Sequence, residues 1–146
     1  MDFPCSTVQK AYQLAREALK NSYCPYSNFK VSACLKVKGA ELYVSGVNVE
    51  NGSLGATICA ERSALVSLIS QFGYEKEIEF LLLCTQPSTV PCCLCRQVLS
   101  EFCCPQMPIY ISSVKKGLEH CYTFGELAPH SFGPEEYKRI KATISP

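Results

Sequence analysis

The sequence predicts an α/β fold, a three-layer αβα sandwich built on a mixed sheet of about five strands. Three observations lead there. Segments of helical and strand periodicity alternate in the order α, β, β, α, β, α, β, β, α. Phe80-Leu81-Leu82-Leu83-Cys84 is apolar almost throughout, as in a strand buried on both faces at the centre of a sheet. Helices starting near Cys59 and near Pro91 each carry one apolar stripe to lay against such a sheet.

Each element has its own grounds. Ser6 followed by Gln9 reads as a capping box, and Val8, Ala11, Tyr12, Ala15, Ala18 and Leu19 recur at helical spacing. That helix should stop between Asn21 and Cys24, because Pro25 disfavours helical geometry in the residue before it. Pro25-Tyr26-Ser27-Asn28 is then a turn. Period two follows, with Val31, Ala33, Leu35 and Val37 on one face and Lys30, Ser32, Cys34 and Lys36 on the other. Lys38-Gly39 turns the chain into a second strand, expected over residues 41–50. Asn51 to Gly55 form a loop, and a helix opened by Cys59 buries Ala64, Leu65, Leu68, Ile69 and Phe72 before Gly73 ends it. Residues 78–85 are the central strand. Pro91 suits the first turn of a third helix whose stripe is Leu94, Val98, Leu99 and Phe102. Short strands are expected at 108–111 and, after Lys116-Gly117, at 118–123. Residues 124–127 form a turn or short helix, and Pro134-Glu135-Glu136 opens a last helix running toward Ile140.

Composition narrows the function. A chain of 146 residues is the size of one domain, 1–146. With 18% charged residues and a formal charge of +1 it presents no basic face for a polyphosphate backbone, so nucleic acid is an unlikely partner and a small neutral substrate fits better. The first residues lack a signal-peptide pattern and no run approaches the length of a membrane span, so the protein is expected to be soluble and cytoplasmic. Eleven cysteines without a secretion signal imply reduced thiols rather than a disulfide framework. Cys5, Cys34, Cys84, Cys103, Cys104 and Cys121 read as small core hydrophobes or incidental surface thiols.

Three further cysteines read differently. Cys92 and Cys95 stand at i, i+3 at a helix start, where both sulfurs face one side and can grip one tetrahedral ion. Cys59 is a candidate third thiolate. Three protein ligands leave one zinc position open, which separates a site that activates water from one that only holds a fold together. Glu61, two residues from Cys59, is the candidate proton carrier, although an acid in a first helical turn also serves the helix dipole. On an extended strand Asn48 and Glu50 share a face and could present an amide and a carboxylate to sugar hydroxyls, or simply end the strand in solvent.

Five motifs in order make the chain resemble the small, homotetrameric, free-nucleoside cytidine deaminases. They are Cys24-Pro25-Tyr26-Ser27 with Phe29, Asn48-Val49-Glu50-Asn51, Cys59-Ala60-Glu61-Arg62, Pro91-Cys92 through Cys95-Arg96-Gln97, and Ser131-Phe132-Gly133-Pro134. The resemblance implies the αβα sandwich and one Zn²⁺ per subunit on Cys59, Cys92 and Cys95. It implies hydrolytic deamination of cytidine and 2'-deoxycytidine in pyrimidine salvage, with Glu61 moving the protons. Arg62 would withdraw charge from the thiolates, Asn48 and Glu50 would hold the ribose, and Phe29 would line the base. Ala60 would offer its N–H to the pyrimidine O2, and a carbonyl at or near Val90 would accept from the amine. Phe132 would reach from a neighbouring subunit to cap the pocket of a homotetramer. Lys30, Ser32, Leu54 and Cys93 depart from the family pattern. A deaminase of polynucleotides or modified nucleosides, and a silent zinc-binding relative, are the alternatives.

Overall fold

The computed structural model describes residues 3–144. Its elements are α1 (Ser6–Ala18, continued by a 3-10 turn at Leu19–Asn21), β1 (Val31–Val37), β2 (Tyr43–Val47), α2 (Ala60–Phe72), β3 (Ile78–Thr85), α3 (Cys93–Leu99), β4 (Pro108–Ser113), β5 (Gly117–Thr123), α4 (Phe124–Leu127) and α5 (Pro134–Ile144). The sheet order is β2-β1-β3-β4-β5. β3 and β4 are parallel and the other neighbours antiparallel, so the sheet is mixed with β3 at its centre, as the apolar run predicts.

Two apolar clusters separate the layers by strand parity. Ala33, Leu35, Leu81, Leu83, Ile109 and Ile111 pack with Ala60, Ala64, Leu65 and Leu68 of α2 and with Leu99 of α3. Cys34, Phe80, Leu82 and Cys84 point the other way, onto Val8, Ala11, Tyr12 and Ala15 of α1. Because successive side chains of a strand alternate, one sheet serves two helical layers. The α1 side is sealed partly by polar groups: Ser32 Oγ donates to the Ala15 carbonyl at 2.6 Å, and buried Lys36 Nζ reaches the Val37 and Ala40 carbonyls and Glu79.

Four sequence expectations need correction. The N-cap of α1 is Cys5, without a side-chain cap, so Ser6 is already helical and the Ser6/Gln9 capping box does not form. Pro91 lies just before Cys92, the N-cap of α3, and that helix ends at Leu99; Phe102 packs on the core from the turn beyond it. The second strand spans only Tyr43–Val47. After Val47 one more bond, from the Asn48 N–H to the Val31 carbonyl of β1 at 3.1 Å, ends the regular pairing, and Val49 then forms single bridges with Tyr23 and Ile58. The last helix extends to Ile144 and buries none of its side chains. No helix among the described residues is long and apolar enough to cross a membrane.

The position of α2 depends on one small residue. A Cβ at Gly46 of β2 would lie 2.2 Å from Ala64 N and 2.6 Å from Ala60 O. Both atoms belong to the α2 backbone, so no side chain can swing away to make room. Gly46→Ala is expected to destabilise the protein by about 3 kcal/mol, comparable to the burial of a leucine side chain, because it wedges α2 off the sheet. A urea unfolding midpoint measures this. The same variant should retain zinc less well, since α2 begins at the first candidate ligand.

Candidate metal centre and adjoining cavity

Cys59 and Cys92 are the N-caps of α2 and α3, and both hold the extended backbone of a cap without using the side chain to cap. Their sulfurs are therefore free for another task. Cys95 lies one turn into α3 and is fully buried. The three sulfurs lie within 4.8 Å of one another, with Cys92 Sγ 3.4 Å from Cys95 Sγ and 4.0 Å from Cys59 Sγ. Among the described residues this is the only group of three or more metal-ligating side chains so placed. Cys93 is exposed and outside it.

The surroundings favour thiolate. Hydrogen bonding from Cys95, helped by Arg62 and Cys92, lowers Cys59 to about 5 against the cost of burial, while the same shared proton pushes Cys95 upward. Arg62 Nη2 donates to the Thr57 carbonyl at 2.8 Å and to Cys59 Sγ at 3.7 Å. Its buried Nε has no hydrogen-bond partner. A dication held by three thiolates leaves one negative charge, which suits a guanidinium with a free donor and two helix N-termini. Sulfur donors at this spacing fit Zn²⁺.

Beside the thiols opens a cavity of about 220 Å³. Glu61, 4% exposed, lines it together with Cys59, Ala60 and Cys92. Burial, more than the nearby Cys59 charge, raises the Glu61 carboxyl above its ordinary range. A carboxyl so shifted holds and releases a proton closer to neutral pH than one in water does. Phe29, Val31, Leu83, Thr89 and Val90 form apolar and backbone walls, and Asn48 and Glu50 stand on one side. A larger groove of about 650 Å³, between the end of α3 and residues 128–136, contains none of these groups.

Of the residues singled out in the sequence, Cys59, Ala60, Glu61, Cys92, Phe29, Asn48, Glu50 and Val90 all border this cavity, and Arg62 contacts its rim through Cys59. Phe132 does not. It is half exposed, and its carbonyl accepts from Gln97 Nε2 of α3 at 2.7 Å. His120 and His130 are exposed and lie outside the cavity. Thr57, Val31, Leu83 and Thr89 were not singled out, because a lining formed by strand and loop residues far apart in sequence leaves no local signal.

Asn48 and Glu50 carry more bonds than their spacing suggests. Asn48 Oδ1 accepts from Val31 N at 2.9 Å, and its Nδ2 donates to the Phe29 carbonyl at 2.8 Å. Glu50 Oε2 accepts from the Tyr26 and Ser27 N–H groups at 3.0 and 3.2 Å, and Oε1 accepts from Ser27 Oγ. These bonds, the Ser27 hydroxyl first, lower the Glu50 carboxyl below its ordinary value.

The sequence profile of the cytidine and deoxycytidylate deaminase zinc-binding region matches residues 5–111. A cytidine deaminase of Sporosarcina psychrophila is 33% identical over 129 residues, covering 88% of this chain and 93% of that one. One from Halalkalibacterium halodurans is 34% identical over 122 residues, 84% of this chain and 91% of its own. The crystal structure of the Burkholderia pseudomallei cytidine deaminase superposes with a TM-score of 0.78 at 31% identity, over 85% of this chain and 98% of that chain. That of the Mycobacterium tuberculosis cytidine deaminase gives 0.73 at 31% identity, over 90% and 99%.

Two outcomes are expected. Purified protein should carry a single zinc per chain, which Cys59→Ser, Cys92→Ser and Cys95→Ser each lose and Cys93→Ser keeps, as read by elemental analysis. The Glu50 clamp has the sign of a lowered carboxyl, so its contribution is present above the unfolded carboxylate value and is lost as pH falls through the folded one. Hydrogen-exchange protection of the Tyr26 and Ser27 amides should hold from neutral pH to about pH 5 and decline on further acidification, and Glu50→Gln should remove that dependence.

Proposed function

This chain belongs to the cytidine and deoxycytidylate deaminase family, and from that premise we propose that it hydrolyses cytidine and 2'-deoxycytidine to uridine and 2'-deoxyuridine. The observation that carries the reading is a buried carboxyl, Glu61, set between three convergent thiols and a small cavity. Zinc held by Cys59, Cys92 and Cys95 supplies a Lewis acid that makes water a competent nucleophile near neutral pH. Glu61 accepts one proton of the attacking water and passes it to ring N3, then takes the second from the new C4 hydroxyl and delivers it to the exocyclic amine, so that C4–N breaks, C4=O forms and ammonia departs. Its raised carboxyl suits both directions of transfer.

The remaining residues orient the substrate. Phe29 lines the base, the Ala60 N–H at the start of α2 meets the pyrimidine O2, and the chain near Val90 accepts from the amine. Asn48 and Glu50 bind the sugar hydroxyls with the lone pairs and the amide hydrogen that their loop contacts leave free. A cavity of about 220 Å³ is below the usual range of drug-sized pockets, and a net charge of +1 does not favour a polynucleotide, so a free nucleoside is the substrate class. We assign Phe132 to a neighbouring subunit's pocket in a homotetramer; its exposure and its distance from its own cavity support this. We assign the reaction to pyrimidine salvage and the protein to the cytoplasm, a reading supported by the family's free-nucleoside chemistry.

The test follows cytidine absorbance with wild type beside Glu61→Gln, zinc content being measured in both. Wild type should form uridine, and the variant should keep its zinc and lose at least about a hundredfold in rate. A zinc-loaded wild type that leaves cytidine and deoxycytidine untouched overturns the reading.

A further inference from the structure

Residues 24–30 reach the cavity without regular structure to hold them. Asn28, at φ +57°, turns the chain in the left-handed region, and its N–H closes the turn on the Cys24 carbonyl at 3.0 Å. Phe29 comes next and forms part of the cavity wall. Both of its peptide groups are held from outside the segment's own backbone. Its carbonyl accepts from Asn48 Nδ2 at 2.8 Å, and its N–H donates to Ser27 Oγ at 3.0 Å. Ser27 Oγ in turn donates to Glu50 Oε1. A hydroxyl has a single hydrogen, so spending it on Glu50 turns a lone pair toward the Phe29 N–H and fixes the rotor. Thus Asn48 reaches Phe29 directly and Glu50 reaches it through Ser27.

We infer that Ser27 is a positioning residue that ties the sugar-side carboxylate of Glu50 to the base-side ring of Phe29. This rests on the assignment of sugar and base to those two residues in the proposed function. Substrate hydroxyls that settle on Asn48 and Glu50 then brace the same two side chains that orient Phe29. Base and sugar subsites are coupled through a serine that does not itself line the cavity. The effect falls on binding rather than on proton transfer, because Glu61 and the thiols stand on α2, α3 and their N-caps and, among the described residues, share no hydrogen bond with residues 24–29.

The test combines kinetics with a readout that needs no substrate. In Ser27→Ala the KM for cytidine should rise about tenfold, the worth of one charge-assisted hydrogen bond, while kcat changes by less than about twofold. Ser27→Thr, which keeps the hydroxyl, should restore KM. In a Phe29→Ala background, Ser27→Ala should add less than about twofold, since the two act as one unit. An unchanged KM in Ser27→Ala, or a full tenfold rise that persists without the Phe29 ring, overturns the inference. In the ligand-free protein the Phe29 amide should exchange hydrogen about tenfold faster in Ser27→Ala than in wild type, and equal rates overturn the link whether or not cytidine is the substrate. Absence of turnover in wild type, with the exchange difference present, instead indicts the proposed substrate.

Discussion

Everything in the site depends on the convergence of two helix N-termini. α2 and α3 both begin with a cysteine in cap position, and neither sulfur caps its helix. Unpaired N–H groups and the positive ends of two dipoles therefore surround sulfurs that are free to ionise. The sheet makes the convergence possible. Leu81 and Leu83 of the central strand β3 pack beneath residues of both helices, and the absence of a side chain at Gly46 lets the α2 backbone settle against β2. A helix shifted outward by the width of a methyl group would carry Cys59 and Glu61 with it.

Charge decides how the convergence is used. Burial alone would hold Cys59 protonated, yet the opposing hydrogen bonds from Cys95, Arg62 and Cys92 win and bring it to about 5. Two residues away the balance is reversed. Glu61 has less compensation and burial dominates, so its carboxyl rises. One helix turn thus carries an acid shifted down and an acid shifted up, and the environments, not the residue types, set the difference. Under the proposed reaction the first binds metal as thiolate and the second trades a proton with the substrate.

Local chemistry in this chain was legible where one element carries it. Cys92 and Cys95 share a helix, Cys59 and Glu61 another, and the apolar run of β3 announces a central strand from its own residues. The misreadings came where distant partners compete with local preference. Ser6 and Gln9 have the letters of a capping box, but the helix starts at Cys5 and uses no side-chain cap. Residues 41–50 have strand periodicity throughout, but the regular strand ends at Val47 and, after a last Asn48 bond to Val31, Val49 finds single bridges to Tyr23 and Ile58. The clamp on Phe29 was invisible for the same reason: its bonds from Ser27 to Glu50 and from Asn48 to Phe29 join residues 23 and 19 positions apart, and spacing marks only that Asn48 and Glu50 face one way. Phe132 lines no part of the cavity of its own chain, and its proposed role comes from the resemblance alone.

The account rests on an open zinc position beside Glu61, and X-ray absorption at the zinc edge of the purified protein tests that most directly. Three sulfurs at about 2.3 Å and one oxygen or nitrogen near 2.0 Å are the predicted shell. Four sulfurs, with Cys93 or another thiol closing the site, would contradict it and make the centre a structural one.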